Sequence, residues 1–154
     1  MIFSRLDLEP QSGVELASFA IKHANLNDWD ITVAVCDAAG VLIAFMRTKN
    51  VIPAAVEFAI DKAFTAATLG KATHEFGERM ASSAGLSLGV GTRNRLITWT
   101  GGIPIYDVRD CVGGIGVSGA MDHQDLECAN AALQSVCLLY TSDAADDTPC
   151  VDLG

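Results

Sequence analysis

Apolar residues along this chain follow two different periods, and the change from one to the other predicts its secondary structure. In some segments they recur every three or four positions, as Val14, Ala17, Ile21 and Ala24 do, which is typical of a helix. In others, β-branched and apolar residues run on without a break and end at turn residues, which is typical of strands. The predicted order is α-β-β-α-α-β-β-β-α, with helices over residues 12–26, 53–69, 73–85 and 122–136, and strands over 31–36, 41–46, 95–100, 103–108 and 111–118.

The links between the predicted strands indicate how the strands pair. Most of them are short, and links of hairpin length join antiparallel neighbours. Residues 85–94 are rich in Gly and Ser, and we expect them to form a loop. The fold class that follows is α/β of the α+β kind, with a five-stranded antiparallel sheet and helices packed on it.

The second predicted helix, over residues 53–69, is apolar on two sides. One side carries larger residues and the other carries small ones. The larger residues are Val56, Ile60 and Phe64, and the small ones are Ala55, Ala59, Ala63, Ala66 and Ala67. A helix that is apolar on two sides is buried on two sides. We therefore expect it to pack on the sheet and also on a second copy of the chain.

Six of the 14 glycines of the chain fall in residues 101–119, between β-branched residues rather than turn residues. Glycine weakens a strand unless a bulge, a bend or a close backbone approach requires it. Two neighbouring strands of this kind predict a wall against which something is pressed. A helix backbone and a flat ligand are both compatible with this pattern.

The end of the chain does not continue the pattern. Written back into codons, residues 137–146 and 150–154 resemble two constant segments of a transposon-based sequencing adapter, in frame and separated by the length of a barcode. We treat residues 137–154 as a non-native tail, as one would a fusion scar, and residues 1–136 as a single domain. A disordered acidic tail is the alternative interpretation.

Charge and cysteine content exclude several kinds of partner. The net charge of −9 becomes −5 without the tail, which carries four acids and no bases. An acidic chain without a basic cluster favours neither nucleic acid nor a membrane surface as partner. Cys36, Cys111 and Cys128 stand far apart, which favours free thiols over a disulfide framework or a zinc site. With no signal peptide and no membrane-spanning run in the sequence, we expect a cytoplasmic protein.

Six segments of the chain, in order and spread over residues 10–134, resemble the GlcG/HbpS family of haem-binding or haem-degrading domains. They are VAVCDAAG (33–40), AFMR (44–47), KAFTA (62–66), GGIPI (101–105), GGIGVSG (113–119) and QD (124–125). The resemblance implies a profilin- or PAS-like architecture of two layers and a homo-oligomer. It does not imply one established reaction, because members are associated with haem binding, glycolate utilisation and corrinoid metabolism.

Candidate ligand-binding residues lie inside these segments. Lys62 interrupts a stripe of small residues, so it either extends to the surface or holds an anion, and its place in a family motif favours the anion. Asp125 is either a helix-start acid or, with Gln124, part of the same cleft. The candidate ligand-binding residues are Lys62, Gly101, Gly102, Pro104, Ser118, Gln124 and Asp125. No catalytic constellation emerges, because Ser118 lacks the flanking pattern of a nucleophile elbow.

Three histidines could ligate a haem iron. His23 lies on the first helix beside its apolar stripe, and the resemblance makes it the candidate axial ligand, since some haem-binding relatives use a histidine there. His74 and His123 fall in the first turns of later helices, where exposed polar residues are common. Lys62 is the candidate partner for a haem propionate.

The leading functional hypothesis is a cytoplasmic, oligomeric protein of the GlcG/HbpS type that binds haem or another small molecule. Two alternatives remain open from sequence alone. One is an enzyme that acts on a small hydroxy or keto acid or degrades haem, with Lys62 and Asp125 in its pocket. The other is an accessory module of a larger assembly.

Overall fold

The helices and strands follow the predicted order with two exceptions, a strand that is missing and a short helix that was not predicted. A computed structural model describes residues 1–143 of the chain, with side chains through residue 137. The helices are α1 (Pro10–Leu26), α2 (Ala55–Leu69), α3 (Thr73–Ala81), α4 (Ala84–Val90) and α5 (Asp122–Asp143). The strands are β1 (Thr32–Asp37), β2 (Leu42–Arg47), β3 (Gly102–Asp107) and β4 (Asp110–Ser118).

The four strands of the described chain form one antiparallel sheet in the order β2-β1-β4-β3. Hairpins join β1 to β2 and β3 to β4, and β1 pairs with β4 across the middle, with Val33 opposite Val117. The α+β class and the antiparallel pairing are confirmed. The prediction of a fifth strand over residues 95–100 is wrong.

Residues 95–100 cross the outside of α2 as an extended loop instead of joining the sheet. The Thr65 hydroxyl on α2 donates to the Arg95 carbonyl at 3.0 Å and accepts from the Ile97 amide at 3.1 Å. Arg95 has a φ of +70°, outside the strand region, and its guanidinium lies 3.8 Å from the centre of the Phe64 ring. Backbone groups that a strand would pair with a neighbour are thus satisfied by a helix side chain.

Helices cover both faces of the sheet, so the domain has three layers rather than the expected two. On one face, Val33 and Val35 of β1 and Ile115 and Val117 of β4 pack against α1 and α5. On the other face, Ala34 and Cys36 pack against the small residues of α2. The alternation of side chains along a strand sends neighbouring residues to opposite cores.

The glycines of β4 allow α2 to lie directly on the sheet. A Cβ on Gly114 would lie 2.5 Å from the Ala63 carbonyl oxygen, and a Cβ on Gly116 would lie 2.2 Å from the Ala59 carbonyl oxygen. Only glycine leaves room for a helix backbone at this distance. Of the two alternatives left open by the sequence, the helix backbone is therefore the group pressed against this wall.

Local chemistry shifts some element boundaries. α3 ends at Ala81 rather than near residue 85, and most of the short helix α4 falls in the loop expected over residues 85–94. The Ser83 hydroxyl caps α4 by accepting from the Leu86 amide at 3.3 Å. α1 begins at Pro10, a residue suited to a first turn. α5 extends to Asp143, into the segment that we interpret as a non-native tail, and residues 144–154 lie outside the described residues.

Candidate functional site

Lys62 and Asp125 form an ion pair at the end of the sheet where helices from both faces meet. The Lys62 ammonium, on α2, lies 3.1 Å from Oδ2 of Asp125 near the start of α5. It also donates to the Val117 carbonyl oxygen at 2.8 Å. The two side chains are only 2% and 3% exposed. The anion beside Lys62 is therefore a carboxylate of the same chain, whereas the sequence favoured the anion of a ligand.

Gly101 and Gly102 make room for this ion pair. Gly101 has a φ of +120°, and a Cβ there would lie 2.4 Å from the Val117 carbonyl oxygen and 3.0 Å from the Lys62 ammonium. A Cβ on Gly102 would lie 2.6 Å from the Lys62 carbonyl oxygen. The Gly102 amide donates to the buried Thr73 hydroxyl at 2.9 Å. The space that these glycines leave is filled by the chain itself.

Burial drives both members of the pair toward their neutral forms. Desolvation raises the pKa of Asp125 to about 6, and the Lys62 cation and the Ala120 amide oppose this rise. Desolvation also lowers the pKa of Lys62 from its ordinary value, against the attraction of Asp125. Each charge is therefore tolerated because the other is present, and removing one leaves its partner uncompensated.

Gln124 and Asp125 also bind the backbone at the start of α5. The Ala120 amide donates to Oδ1 of Asp125, and the Met121 amide donates to Oε1 of Gln124, both at 3.1 Å. These side chains accept hydrogen bonds from backbone amides that have no partner within the helix itself, as is usual at a helix start. Asp125 thus acts as a helix-start acid and as the partner of Lys62 at once.

The remaining candidates, Ser118 and Pro104, lie on the strands beside this cluster. Ser118 ends β4, is buried, and accepts at its carbonyl from the Thr32 hydroxyl at 3.2 Å. Pro104 lies on the edge strand β3, opposite Gly114, where a missing amide is tolerated. The structure brings Lys62, Gly101 and Asp125 into contact and gives no direct contact of Pro104 with them.

A second, more open arrangement lies between α1 and α5. His23 on α1 contacts Glu127 on α5, with Nε2 of the histidine 2.9 Å from Oε1 of the carboxylate. The ring also meets the edge of Trp29, with ring centres 6.0 Å apart. His23 and Glu127 border a groove of about 390 Å³, which is lined by His23, His123, Leu126, Glu127, Asn130, Ala131 and Gln134.

Several residues of this groove could contact a haem. His23 places an imidazole at its wall, and a histidine nitrogen is a common axial ligand of haem iron. Leu126 and Ala131 supply apolar surface, and the amides of Asn130 and Gln134 could hydrogen-bond carboxylates. Lys62 does not line this groove, so the structure does not bring it together with His23.

Glu127, the residue that contacts His23, was not among the candidates predicted from the sequence. The two residues are 104 positions apart and meet only through the packing of α1 on α5. His123 lines the same groove, whereas His74 lies at the start of α3 with a buried Nδ1 that has no hydrogen-bond partner among the described residues. Glu127 lies four positions after His123, a helical spacing that places both on one face, but no local signal connects either to His23.

The described residues contain neither a cluster of metal ligands nor a membrane-spanning helix. No group of three or more His, Cys, Asp or Glu side chains there is arranged to hold a metal ion. Within the same part of the chain, no helix is long and apolar enough to cross a membrane. Cys36, Cys111 and Cys128 are free, as expected, and the first and last of these are buried.

Comparison with known proteins points to one family. A family model described as "Haem degrading protein HbpS-like" matches residues 8–134. Protein GlcG of Escherichia coli K12 is 30% identical over 115 residues, which cover 75% of this chain and 84% of GlcG. The corrinoid adenosyltransferase PduO of Salmonella typhimurium is 27% identical over 123 residues, which cover 79% of this chain but only 37% of PduO.

A solved structure of a haem complex has the same fold. The crystal structure of the PduOC:haem complex matches with a TM-score of 0.78 and 25% identity, and the match covers 84% of this chain and 95% of that one. The four-stranded sheet and its helices therefore have the fold of a protein that was crystallised with haem.

Proposed function

Because this chain belongs to the HbpS-like family of haem-degrading proteins, we propose that it binds haem in the groove between α1 and α5, with His23 as the axial ligand. The observation that carries the proposal is the position of the His23 imidazole at the wall of this groove. Haem supplies redox and ligand-binding chemistry when bound. The chain's own residues supply the nitrogen, the apolar wall and the polar rim.

Haem titration of the whole chain tests this proposal. The wild type should develop a Soret band that saturates, and His23→Ala should lose it. The substitution should leave the fold intact, because alanine is the best helix former and the contact with Glu127 is half-exposed, with side-chain exposures of 27% and 52%. His123→Ala, in the same groove, is the matched control and should keep the band. Retention of the band by His23→Ala would refute the assignment.

The enzyme alternative fits the geometry less well. An enzyme that acts on a small hydroxy or keto acid would need Lys62 or Asp125 to reach its substrate. Both side chains are at most 3% exposed and are bonded to each other, so a substrate anion would first have to separate a buried ion pair. The pair's position between the layers supports a structural role instead.

We also propose that the chain forms a homo-oligomer in the cytoplasm. α4 has no buried residue, and Leu88 on it is 77% exposed, while Ile52 and Trp99 are 59% and 51% exposed. Exposed apolar surface of this kind usually marks association. The free thiols of Cys36, Cys111 and Cys128 fit a reducing compartment. Sedimentation at micromolar concentration should show an oligomer, and a 16.2 kDa monomer alone would contradict the proposal.

A further inference from the structure

We propose that Glu127 masks the Nε2 nitrogen of His23, so that this carboxylate must leave before haem can bind in the groove. The inference rests on the proposed function, since it concerns the same histidine. Its physical basis is that one nitrogen cannot serve a carboxylate and an iron at the same time. Glu127 would therefore set the affinity and the rate of haem loading.

The hydrogen bond between His23 and Glu127 has a defined direction. Nε2 of His23 lies 2.9 Å from Oε1 of Glu127. An ionised carboxylate only accepts hydrogen bonds, so the proton of this contact lies on Nε2. The Asn27 amide nitrogen lies 3.4 Å from the same Nε2 and could donate to it only in the other tautomer, which would leave the shorter contact with Glu127 without a proton. A nitrogen that donates its proton has no lone pair to offer. While Glu127 is in place, Nε2 is therefore closed to a metal and to any other electrophile.

The side chains of His23 and Glu127 differ in how firmly they are held. The His23 ring rests against Trp29, and the Asn27 amide donates to the His23 carbonyl at 2.9 Å, which fixes the end of α1. The Glu127 side chain is 52% exposed, and no other hydrogen bond joins its carboxylate to the described part of the chain. Glu127 is thus the partner that can turn away into solvent at little cost.

A displaced Glu127 carboxylate has a second possible partner nearby. His123 lies one helical turn before Glu127 on α5, and it lines the same groove. Residues four apart on a helix are neighbours, so Glu127 can contact His123 after it leaves His23. The chain therefore offers the carboxylate an alternative partner without any change in its backbone.

Two measurements on the full chain test the proposal. The first is haem affinity from the Soret band. The second is the rate at which diethyl pyrocarbonate modifies His23 at pH 8, measured by peptide mass spectrometry. This second measurement needs no haem. For a half-exposed pair, Glu127→Ala should raise both the affinity and the modification rate about two- to fivefold. Glu127→Gln keeps an acceptor oxygen and should stay closer to the wild type. Glu57→Ala, which removes an exposed carboxylate on α2 away from this groove, is the control and should change neither.

The outcomes separate this inference from the proposed function. If the wild type and Glu127→Ala both fail to bind haem, the proposed function is wrong, and the modification rates alone decide whether Glu127 masks His23. If the wild type binds haem but Glu127→Ala shows unchanged or weaker affinity and no faster modification, the masking role is overturned while the haem site stands. Weaker binding would mean that Glu127 orients the ring for the iron.

Discussion

Replacing Lys62 by methionine should strongly destabilise the domain, although the side chain keeps most of its length. Methionine retains the apolar stem that packs between α2 and β4, and it removes only the charge and the donors. Asp125 would then be left 3% exposed without its cation. A group in that position either stays charged without compensation or takes up a proton, and both are unfavourable at neutral pH.

The size of the effect follows from the geometry. At the observed 3.1 Å, and with an effective dielectric constant of about 20, two unit charges attract by about 5 kcal/mol. Loss of one partner of a buried pair costs about 3–5 kcal/mol in measured cases. Since whole domains are stable by about 5–15 kcal/mol, Lys62→Met should lose a large fraction of the free energy of unfolding at pH 7.

The loss should depend on pH in a defined direction. The pKa of Asp125 is already raised to about 6 by burial in the wild type, and removal of the Lys62 cation raises it further. A group whose pKa is higher in the folded state favours folding at low pH, and this contribution is lost as the pH rises through the folded pKa. Urea unfolding should therefore show a smaller difference between variant and wild type at pH 5 than at pH 7.

A double variant provides the control. In Lys62→Met with Asp125→Leu, no charge remains buried, and the main losses are two hydrogen bonds, from the Ala120 amide to Asp125 and from Lys62 to the Val117 carbonyl oxygen. The double variant should lie within about 1–2 kcal/mol of the wild type, so the two single losses should not add. Additive losses, or a loss below about 1 kcal/mol for Lys62→Met, which is within the range of an exposed pair, would show that the reasoning is wrong.

Three further predictions concern packing, the loop on α2 and the tail. In urea unfolding, Gly116→Ala should lower the free energy of unfolding by about 1–3 kcal/mol through overpacking, because its Cβ would lie 2.2 Å from the α2 backbone. Gly89→Ala is the control: a Cβ there meets no atom within 4 Å, and alanine in this helix should raise the free energy of unfolding by about 0.5–1 kcal/mol. Thr65→Val should cost about 1–3 kcal/mol and speed amide exchange at Ile97, and unchanged exchange would contradict the role of this hydroxyl. A chain ending at Val136 should keep its melting temperature, and a loss above about 1 kcal/mol, the size of a typical damaging substitution, would show that residues 137–154 contribute to the fold.

Local patterns in the sequence were sufficient for most of the secondary structure. The period of apolar residues placed α1, β1, β2, α2, β3 and β4 within about two residues of their positions, because each element must turn its apolar side chains to a core. Glycines between β-branched residues predicted a close backbone approach, and α2 lies against them. The family resemblance likewise rested on short segments in a fixed order, which the match over residues 8–134 confirms.

Contacts between distant residues were decided only by the tertiary structure. Residues 95–100 have the apolar composition of a strand, but Thr65 satisfies their backbone from a neighbouring helix. Lys62 meets Asp125 across 63 positions, and His23 meets Glu127 across 104. The sequence marked Lys62, Asp125 and His23 as unusual. Which partner each of them contacts depends on how the layers stack. That stacking is a property of the whole packed chain rather than of any segment.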